Sequence, residues 1–447
     1  MTIHQARGDR TRRRRIAATA GLAVTALVLA ACGSTRPEGG TSATVGVTKT
    51  SVKIGAHFPL TGVAAPGYSE IPTGAKAYFD YVNSKGGVNG RKIEYLVRDD
   101  GYDPTKTSTV TNELVLKDKI FAMVGGLGTP THGAVVDFLN QQKVPDLFVS
   151  SGSLQWGENP KKLPWTFGWQ TDYESEGKVI GQYIAKNLPD AKVGLFLQDD
   201  DLGADGEKGL RKYISKQIVE TQRYTSGNTD VGPQVSALQS SKADLVVGFN
   251  TPSYTALTQL TALKLGYKPK WFYTNVGSDA LLVGSLLERF SEGKVKGSAS
   301  SLDGVLTTKY LDTVDDTSSA WIKLWQKIWK AEGSKEPLTN YRVYGMAQAY
   351  TFVQALEASG KNLTRQGIID ALEKKGADFE GPMVAPFAYS TSSHMGTTGM
   401  RVASLKGAKV VAETGVEVTK IGNNPIEPDT SDAGKDAPPS SGIPSSN

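Results

Sequence analysis

Short apolar segments typical of buried strands alternate with helical patterns along most of this 447-residue chain. Between the first two strands, for instance, Ile71, Ala75 and Tyr78 recur at helical spacing. Alternation of this kind predicts parallel sheets with helices on both faces, built by right-handed crossovers. The predicted strands form two series, at 52–58, 93–97, 121–124 and 147–149 and at 193–197, 218–224, 245–249 and 271–274. The sequence therefore predicts an α/β fold with two doubly wound parallel-sheet lobes.

Open α/β sheets bind their ligands beyond the carboxyl ends of the strands. The loops that follow the predicted strands are thus the places to look for function. They begin after Phe58, Val124, Val149, Leu197, Phe249 and Thr274.

The N-terminus has the parts of a bacterial lipoprotein signal. Arg12–Arg15 precede an uncharged run at 16–31, and Cys32, the only cysteine of the chain, follows directly. The segment Leu29–Cys32 resembles a lipobox, in which the cysteine is lipidated and becomes the new N-terminus. Two alternatives stay open: an ordinary signal with a chance cysteine, or a membrane helix, although the run is shorter than the roughly 20 residues that a span needs. The basic run is compatible with Sec or twin-arginine export.

Charge and composition support separate treatment of this leader. Residues 1–31 carry six arginines and one aspartate, so the whole formal charge of +5 lies there and the rest of the chain is neutral. A neutral chain has no electrostatic footprint for nucleic acid. We expect a signal peptide at 1–31, a lipidated cysteine and flexible tether at 32–50, and a disordered tail at 424–447.

The usual catalytic and metal-binding motifs are missing. Beyond the leader the only histidines are His57, His132 and His394, far apart in sequence. No HExxH pair, Gly-x-Ser-x-Gly elbow or phosphate-binding Gly-x-x-x-x-Gly-Lys loop occurs. We expect a binding protein without catalytic residues, metal or cofactor, and interpret each histidine as structural or solvated.

Hydroxyl-rich loops follow two strands of the first series. Gly128-Thr129-Pro130-Thr131 and Ser150-Ser151-Gly152-Ser153 place hydroxyls and backbone N–H groups where an anion or a carbonyl oxygen can bind. Helix capping by Thr and Ser explains one such loop equally well. Two of them at the same sheet edge favour a ligand site.

Two segments resemble the Leu/Ile/Val-binding proteins, the type I periplasmic binding proteins of branched-chain amino acid ABC importers. They are Lys53–Gly62 and Asp80–Asp100, the latter with the block Gly-Gly-Val-Asn-Gly-Arg, and the order of later motifs agrees up to about residue 410. The resemblance implies two lobes joined by a hinge of three crossing strands and closing on a ligand. Lobe 1 would comprise 50–170 and 299–395, and lobe 2 would comprise 171–298 and 396–423.

The resemblance also implies a ligand site. Thr129 stands where the family uses a hydroxyl for the ligand carboxylate, and Ser150 where it uses a backbone N–H. Gly152 replaces a usual Thr, with Ser153 beside it as a possible substitute. Leu202 and Thr251 replace common tyrosines. The full predicted site is Thr61, Tyr68, Gly128, Thr129, Ser150, Ser151, Gly152, Ser153, Tyr173, Leu202, Thr251, Val276 and Asp279.

The position of Val276 leaves the ligand open. In the family an acid at about this position pairs the ligand's α-ammonium, and an unpaired buried charge costs several kcal/mol. Either Asp200, Asp201 or Asp279 supplies the countercharge, or the ligand lacks an α-ammonium and is an amide, urea, an aromatic acid or another small carboxylate.

The function expected from the resemblance is an extracytoplasmic receptor of an ABC importer. It would be a monomer, anchored by lipid to the outer face of the cell membrane, delivering a small solute to permease and ATPase subunits. A ligand-sensing domain of an envelope signalling system and an extracytoplasmic hydrolase are the alternatives. The missing nucleophile–base pairs argue against the hydrolase.

Overall fold

The computed structural model describes residues 44–431 and 437–445. The signal peptide, Cys32 and the first part of the tether lie outside these residues. The strands are β1 (Ser51–Phe58), β2 (Lys92–Asp99), β3 (Ala122–Val124), β4 (Asp146–Val149), β5 (Thr166–Gly168), β6 (Val193–Gln198), β7 (Ile218–Tyr224), β8 (Leu245–Phe249), β9 (Lys270–Tyr273), β10 (Leu306–Lys309), β11 (Gly399–Lys406), β12 (Lys409–Ala412), β13 (Glu417–Val418) and β14 (Glu427–Pro428).

The α-helices connect these strands and cover the faces of two sheets. They are α1 (Ala65–Tyr68), α2 (Ile71–Ser84), α3 (Pro104–Asn112), α4 (Thr129–Gly133), α5 (Val136–Gln141), α6 (Tyr173–Asn187), α7 (Asp201–Ile214), α8 (Gly232–Ser240), α9 (Pro252–Leu265), α10 (Ala280–Phe290), α11 (Ala320–Ala331), α12 (Asn340–Ser359) and α13 (Arg365–Lys375). None of the helices in the described ranges has the length and apolarity that a membrane span requires.

The first sheet belongs to lobe 1 and is wholly parallel, in the order β2-β1-β3-β4-β5. Strand β1, next to the edge strand β2, places Ile54 between Tyr95 of β2 and Ala122 of β3. The four strands predicted from sequence are present. β5 was not predicted, because three residues in a loop are too few to show a period.

The second sheet belongs to lobe 2 and repeats this order with β7-β6-β8-β9-β10, all parallel. It then continues through the antiparallel strands β11, β13 and β14, while β12 pairs with the other part of β11. The two α/β lobes of the sequence prediction are therefore confirmed. The antiparallel strands at the edge of this sheet do not alternate with helices, so the sequence analysis did not predict them.

The chain passes between the lobes three times: after β5, after β10 and before β11. The sequence prediction assigns 299–395 to lobe 1, and for 299–309 it is wrong. β10 pairs with β9 and β11, so this stretch lies in lobe 2. Helices α11, α12 and α13 do belong to lobe 1, where α12 packs against α2.

Aromatic side chains fill the core where α2, α11 and α12 meet. The rings of Trp321 and Tyr350 lie 4.8 Å apart, and those of Tyr78 and Trp325 lie 5.5 Å apart. All four side chains are essentially fully buried. Edge-on aromatic packing adds to the area that they bury and holds α12 in place behind the site.

The predicted disordered tail, 424–447, is packed against both lobes in its described parts. β14 pairs with β13, and the Tyr78 hydroxyl donates to the Gly442 carbonyl at 3.0 Å. The ammonium of Lys178, on α6, donates to the Asn424 carbonyl at 2.7 Å. The prediction is wrong for these residues because backbone groups make most of the contacts, and composition does not reveal them.

Candidate ligand-binding site

A cavity of about 160 Å³ lies between the lobes, at the carboxyl ends of both sheets. It is small beside the roughly 300–1,000 Å³ of drug-sized pockets, so it suits a small solute. Nine of the thirteen predicted site residues line it: Tyr68, Gly128, Thr129, Ser150, Tyr173, Leu202, Thr251, Val276 and Asp279.

The other four predicted residues lie nearby with other roles. Thr61 is exposed and its hydroxyl donates to Asp99 at 2.7 Å. Ser151 supports Thr129, and Ser153 caps a short helical turn. Gly152 leaves room for the hinge, because a Cβ there would lie 2.6 Å from the Thr171 carbonyl oxygen and 2.8 Å from the Tyr173 ring.

The lobe 1 wall is built around Thr129, the first residue of α4. Gly128 precedes it with φ of 106°, a backbone conformation that glycine adopts without strain. The hydroxyls of Thr129 and Ser151 lie 2.8 Å apart, and both residues are buried. Burial raises the pKa of Tyr173 to about 12, while hydrogen bonding with Ser151 and Thr129 acts in the opposite sense. Three neutral hydroxyls thus meet at one corner of the cavity.

Ser150 lines the cavity, but the sequence prediction about its backbone is wrong. Its N–H donates to the Gly126 carbonyl at 2.9 Å and is not directed at a ligand. Its hydroxyl donates to the Gly125 carbonyl and accepts from Gln348 Nε2 at 3.0 Å. Ser150 therefore holds the two loops together.

Gln170, at the first crossing between lobes, was missed by sequence reasoning. Its Oε1 accepts from the Tyr344 hydroxyl at 3.0 Å, which fixes the amide. Its Nε2 is buried and has no hydrogen-bond partner among the described residues. A buried donor without a partner costs about 1–3 kcal/mol, which a ligand oxygen would offset.

Six tyrosines line the cavity, and four of them were also missed. Tyr102 follows β2 at the predicted sheet edge, and this position is the signal that could have identified it. Tyr341 and Tyr344 lie on α12, and Tyr310 follows β10. Their sequence positions give no sign of the site, because only the fold brings these segments to the cleft.

The lobe 2 wall places the apolar side chains of Leu202 and Val276 beside polar residues such as Thr251 and Asp279. Leu202 is buried and Val276 half-buried. Of the three acids considered as a countercharge, only Asp279 lines the cavity. Its carboxylate caps α10 by accepting from Leu282 N at 2.8 Å, and its other oxygen accepts from Asn340 Nδ2 at 2.8 Å.

Asp200 and Asp201 have other partners. Asp200 caps α7 by accepting from Leu202 N at 2.9 Å and also accepts from Gln198 Nε2. Asp201 accepts from the Ser153 hydroxyl at 3.1 Å and from Gln155 Nε2 at 3.0 Å.

The last two contacts join lobe 2 to lobe 1, so the lobes are in contact beside the cavity. Asp205, one turn further along α7, accepts from Leu154 N at 3.0 Å. Burial raises the pKa of Asp205 to about 7, with Asp201 and Asp172 acting in the same sense and Lys208 against it. Titratable groups therefore lie in the contact that closes the cleft.

Residues 51–409 match the family model for periplasmic binding proteins. This match spans both sheets and most residues of the cavity. The chain belongs to the periplasmic binding protein family. A periplasmic binding protein is a solute-binding protein that acts outside the cytoplasm, in agreement with the cleft described above.

Two relatives of this periplasmic binding protein have descriptive names. The "Leu/Ile/Val-binding protein homolog 1" of Brucella abortus is 24% identical over 328 residues, which cover 73% of this chain and 83% of that protein. The "Amino acid binding protein" of Pseudomonas aeruginosa is 27% identical over 198 residues, 44% of this chain. That match spans 52% of the Pseudomonas protein, about half its length.

Solved structures share the fold. A Thermus thermophilus branched-chain amino acid ABC transporter protein with bound valine superposes with a TM-score of 0.70 and 20% identity, covering 82% of this chain and 96% of that one. A fatty acid ABC transporter substrate-binding protein from Thermomonospora curvata gives a TM-score of 0.68 and 24% identity, covering 83% and 93%. These likenesses establish the type I two-lobed fold.

Proposed function

We propose that this periplasmic binding protein is the receptor of an ABC importer and binds a small amino acid or a related small carboxylate or amide between its lobes. The observation that carries the proposal is the cavity itself. Both lobes and a crossing segment line it, and the buried Gln170 Nε2 is a donor still without an acceptor among the described residues. A ligand contacted from both sides stabilises the closed form that a permease recognises.

The oxygen-bearing end of the solute binds at the lobe 1 corner. Thr129 and Tyr173 offer hydroxyl hydrogens there, and Gln170 adds an amide N–H. Neutral donors of this kind serve a carboxylate or a carbonyl oxygen. The apolar body of the solute then packs against Leu202 and Val276 on the opposite wall.

Asp279 is the acid that would pair an α-ammonium. It lines the cavity, and its two observed hydrogen bonds leave acceptor positions on the carboxylate. The names of the Brucella and Pseudomonas relatives agree with an amino acid ligand.

A carboxylate without an ammonium is the second candidate. It is favoured by Val276 on the lobe 2 wall and by the six tyrosine rings, which together give an apolar, aromatic lining. The Thermomonospora structure is named for such a solute, a fatty acid.

A thermal-shift screen separates the two candidates by using pairs of solutes that differ only in the amino group. Leucine, isoleucine and valine are compared with 4-methylpentanoate, 3-methylpentanoate and 3-methylbutanoate, and benzoate, acetamide and urea complete the set. A ligand at 100 times its Kd stabilises the fold by about 2.7 kcal/mol. A shift with amino acids alone supports Asp279 as the countercharge, and a shift with the deaminated acids supports the second candidate. No shift with any of them contradicts the proposed ligand classes.

The Asp279→Asn variant tests the countercharge directly. If the solute carries an ammonium, its affinity falls while that of the deaminated analogue is kept or improved. Asp190→Asn, at an exposed position far from the cavity, is the matched control. Equal affinity of Asp279→Asn and the control for an amino acid would exclude Asp279.

We further propose that Cys32 carries a lipid anchor and that permease and ATPase subunits receive the solute. Cys32 lies outside the described residues, and this proposal rests on the signal pattern. Labelling by radioactive palmitate should occur in the wild type and be abolished in Cys32→Ala. Equal labelling of the two proteins, or no labelling of the wild type, would contradict the anchor.

A further inference from the structure

A chain of four buried side chains lies directly behind the loop that carries Thr129. Asp100 Oδ2 lies 2.7 Å from His57 Nδ1, His57 Nε2 lies 3.0 Å from His132 Nδ1, and His132 Nε2 lies 2.9 Å from Asp146 Oδ2. All four residues are fully buried. They come from the end of β1, the end of β2, α4 and β4, so the chain ties together the elements that form the lobe 1 wall.

Three hydrogen bonds in series fix the number of protons in this chain. Each bond needs one hydrogen, whereas two neutral imidazoles bring only two. If the four side chains shared only two hydrogens, one of the three contacts would bring two lone pairs together. If they shared four, both ring nitrogens of the His57–His132 contact would carry a hydrogen and repel each other. All three contacts are satisfied only with three hydrogens, which gives the four groups a net charge of −1.

The third hydrogen belongs to the contact between His132 and Asp146. Burial and the neighbouring His132 both lower the pKa of His57, while Asp100 and Asp146 raise it, and burial has the largest effect. His57 is therefore the neutral ring: it donates from Nδ1 to Asp100 and accepts at Nε2. His132 then donates from Nδ1 to His57 and from Nε2 to Asp146.

The carboxylate oxygens of this chain also accept hydrogen bonds from other groups, while Asp146 Oδ1 is buried without a partner among the described residues. Asp146 Oδ2 also accepts from the Thr166 hydroxyl at 2.9 Å. Asp100 Oδ2 accepts from the Thr107 hydroxyl at 3.2 Å, and its Oδ1 accepts from Tyr102 N at 2.9 Å.

The chain reaches the ligand cavity through backbone contacts. The His57 carbonyl accepts from Leu127 N at 3.1 Å, and Leu127, like Tyr102, lines the cavity. The rings also lie against the loop: a Cβ on Gly126 would stand 2.6 Å from His132 Nδ1 and 2.7 Å from His57 Nε2. His132 itself lies in the short helix that Thr129 begins.

We propose that the Asp100–His57–His132–Asp146 chain is a positioning device that holds one proton more than two neutral histidines and thereby fixes the loop 125–132 that faces the solute. His132 and His57 are positioning residues, since they touch the loop and not the cavity. That the loop faces a solute rests on the proposed function. The proton count does not rest on the proposed function, so either of the two can be refuted while the other stands.

Nitrogen NMR of the wild-type protein tests the proton count without any solute. After removal of the leader the protein has only three histidines, so selective ¹⁵N-histidine labelling gives a simple spectrum. His394→Asn removes the third set of signals and serves as the control, because His394 lies in a separate contact with Glu373. At pH 7.5 we expect one ring protonated on both nitrogens and one neutral ring protonated on Nδ1. Two neutral rings, or two cationic ones, would overturn the proposal.

Substitution at Asp146 tests the positioning role. Asp146→Asn removes the charge beside His132, so the imidazolium signals should be lost at pH 7.5, whereas Asp146→Glu keeps the charge and should retain them. Amide hydrogen exchange in 127–132 should accelerate by roughly tenfold in the asparagine variant and stay unchanged in His394→Asn. An imidazolium that persists in Asp146→Asn, or unchanged exchange in this loop, would refute the mechanism. If Asp146→Asn does not fold, the wild-type spectrum still decides the proton count.

Discussion

The polar groups on the two walls of the cavity find their hydrogen-bond partners in different parts of the molecule. On the lobe 1 wall, Thr129 and Ser151 hydrogen-bond to each other, and the Asp100–His57–His132–Asp146 chain supports their loop from behind. On the lobe 2 side, the acids of α7 point across the cleft, where Asp201 and Asp205 accept hydrogen bonds from Ser153 and Leu154.

The two lobes therefore contribute to ligand binding in different ways. Lobe 1 keeps its donors in place within its own structure, so that wall is formed before the lobes meet. Asp201 and Asp205 of α7 gain their lobe 1 partners only when the lobes meet, so that wall responds to closure. Substitutions on the lobe 1 side should therefore change affinity directly, and those at the α7 contact should change the stability of the closed form.

The largest effect is expected for Gly152→Val, which disturbs the point where both walls join. Its side chain would collide with the Thr171 carbonyl and the Tyr173 ring. Overpacking of this kind typically costs about 1–3 kcal/mol, and displacement of Tyr173 should abolish binding of the solute found in the thermal-shift screen. Calorimetric titration and chemical unfolding measure the two effects. Gly381→Val, at a position where a Cβ would meet nothing within 4 Å, should change neither.

Thr129→Ala tests the lobe 1 wall. Loss of the hydroxyl removes one hydrogen-bond partner of the buried Ser151 hydroxyl and of a ligand oxygen, which should weaken binding by about 1–3 kcal/mol. Thr61→Ala is the informative control, because Thr61 was predicted in the site but bonds to Asp99 outside the cavity. Equal affinities of the two variants would remove Thr129 from the site.

Asp205→Asn tests the α7 contact through pH. The pKa of Asp205 is raised to about 7 by burial, whereas an aspartate in the unfolded chain has a pKa of about 3.9. The folded protein therefore keeps this proton to higher pH, and the contribution of Asp205 to the free energy of unfolding falls as pH rises from about 4 to 7.

Asp205→Asn has no carboxyl group at this position, so its free energy of unfolding lacks this decrease with pH. It should be more stable than the wild type by roughly 1–2 kcal/mol at pH 8 and equal to it near pH 4, as measured by urea unfolding at both pH values. Asp172 keeps a similar dependence in both proteins, because burial raises its pKa to about 6. A wild-type advantage at pH 8 would show that the ionised carboxylate stabilises the contact.

The smallest effect is expected for Ser153→Ala. It removes the hydrogen bond from the Ser153 hydroxyl to Asp201 across the cleft, a loss of about 0.5–1.5 kcal/mol. Since this contact exists only in the closed form, the loss should appear as faster solute release with an unchanged association rate in stopped-flow measurements. A slower association rate would mean that Ser153 acts on the open form.

Local patterns and the family resemblance determined the lobes and nine of the residues that line the cavity. β8 is a continuous apolar run, and in β1 the apolar residues Val52, Ile54, Ala56 and Phe58 alternate with others, so the positions of both strands followed from the local sequence pattern. The rule that ligands bind beyond the carboxyl ends of parallel strands then identified the loops of Thr129 and Ser150, and the resemblance to the Leu/Ile/Val-binding proteins identified Val276. The local sequence was sufficient to find these residues, because each follows closely after a predicted strand.

The tertiary structure decided what each of these groups does. Tyr341, Tyr344 and Gln170 reach the cavity only because α12 and the crossing after β5 fold back to the cleft. Ser150 N–H has a partner in a loop 24 residues away in sequence, Gly126. The buried histidine pair likewise joins residues 75 positions apart. A hydrogen bond depends on distances of about 3 Å between atoms, and a sequence records the order of residues along the chain but not those distances.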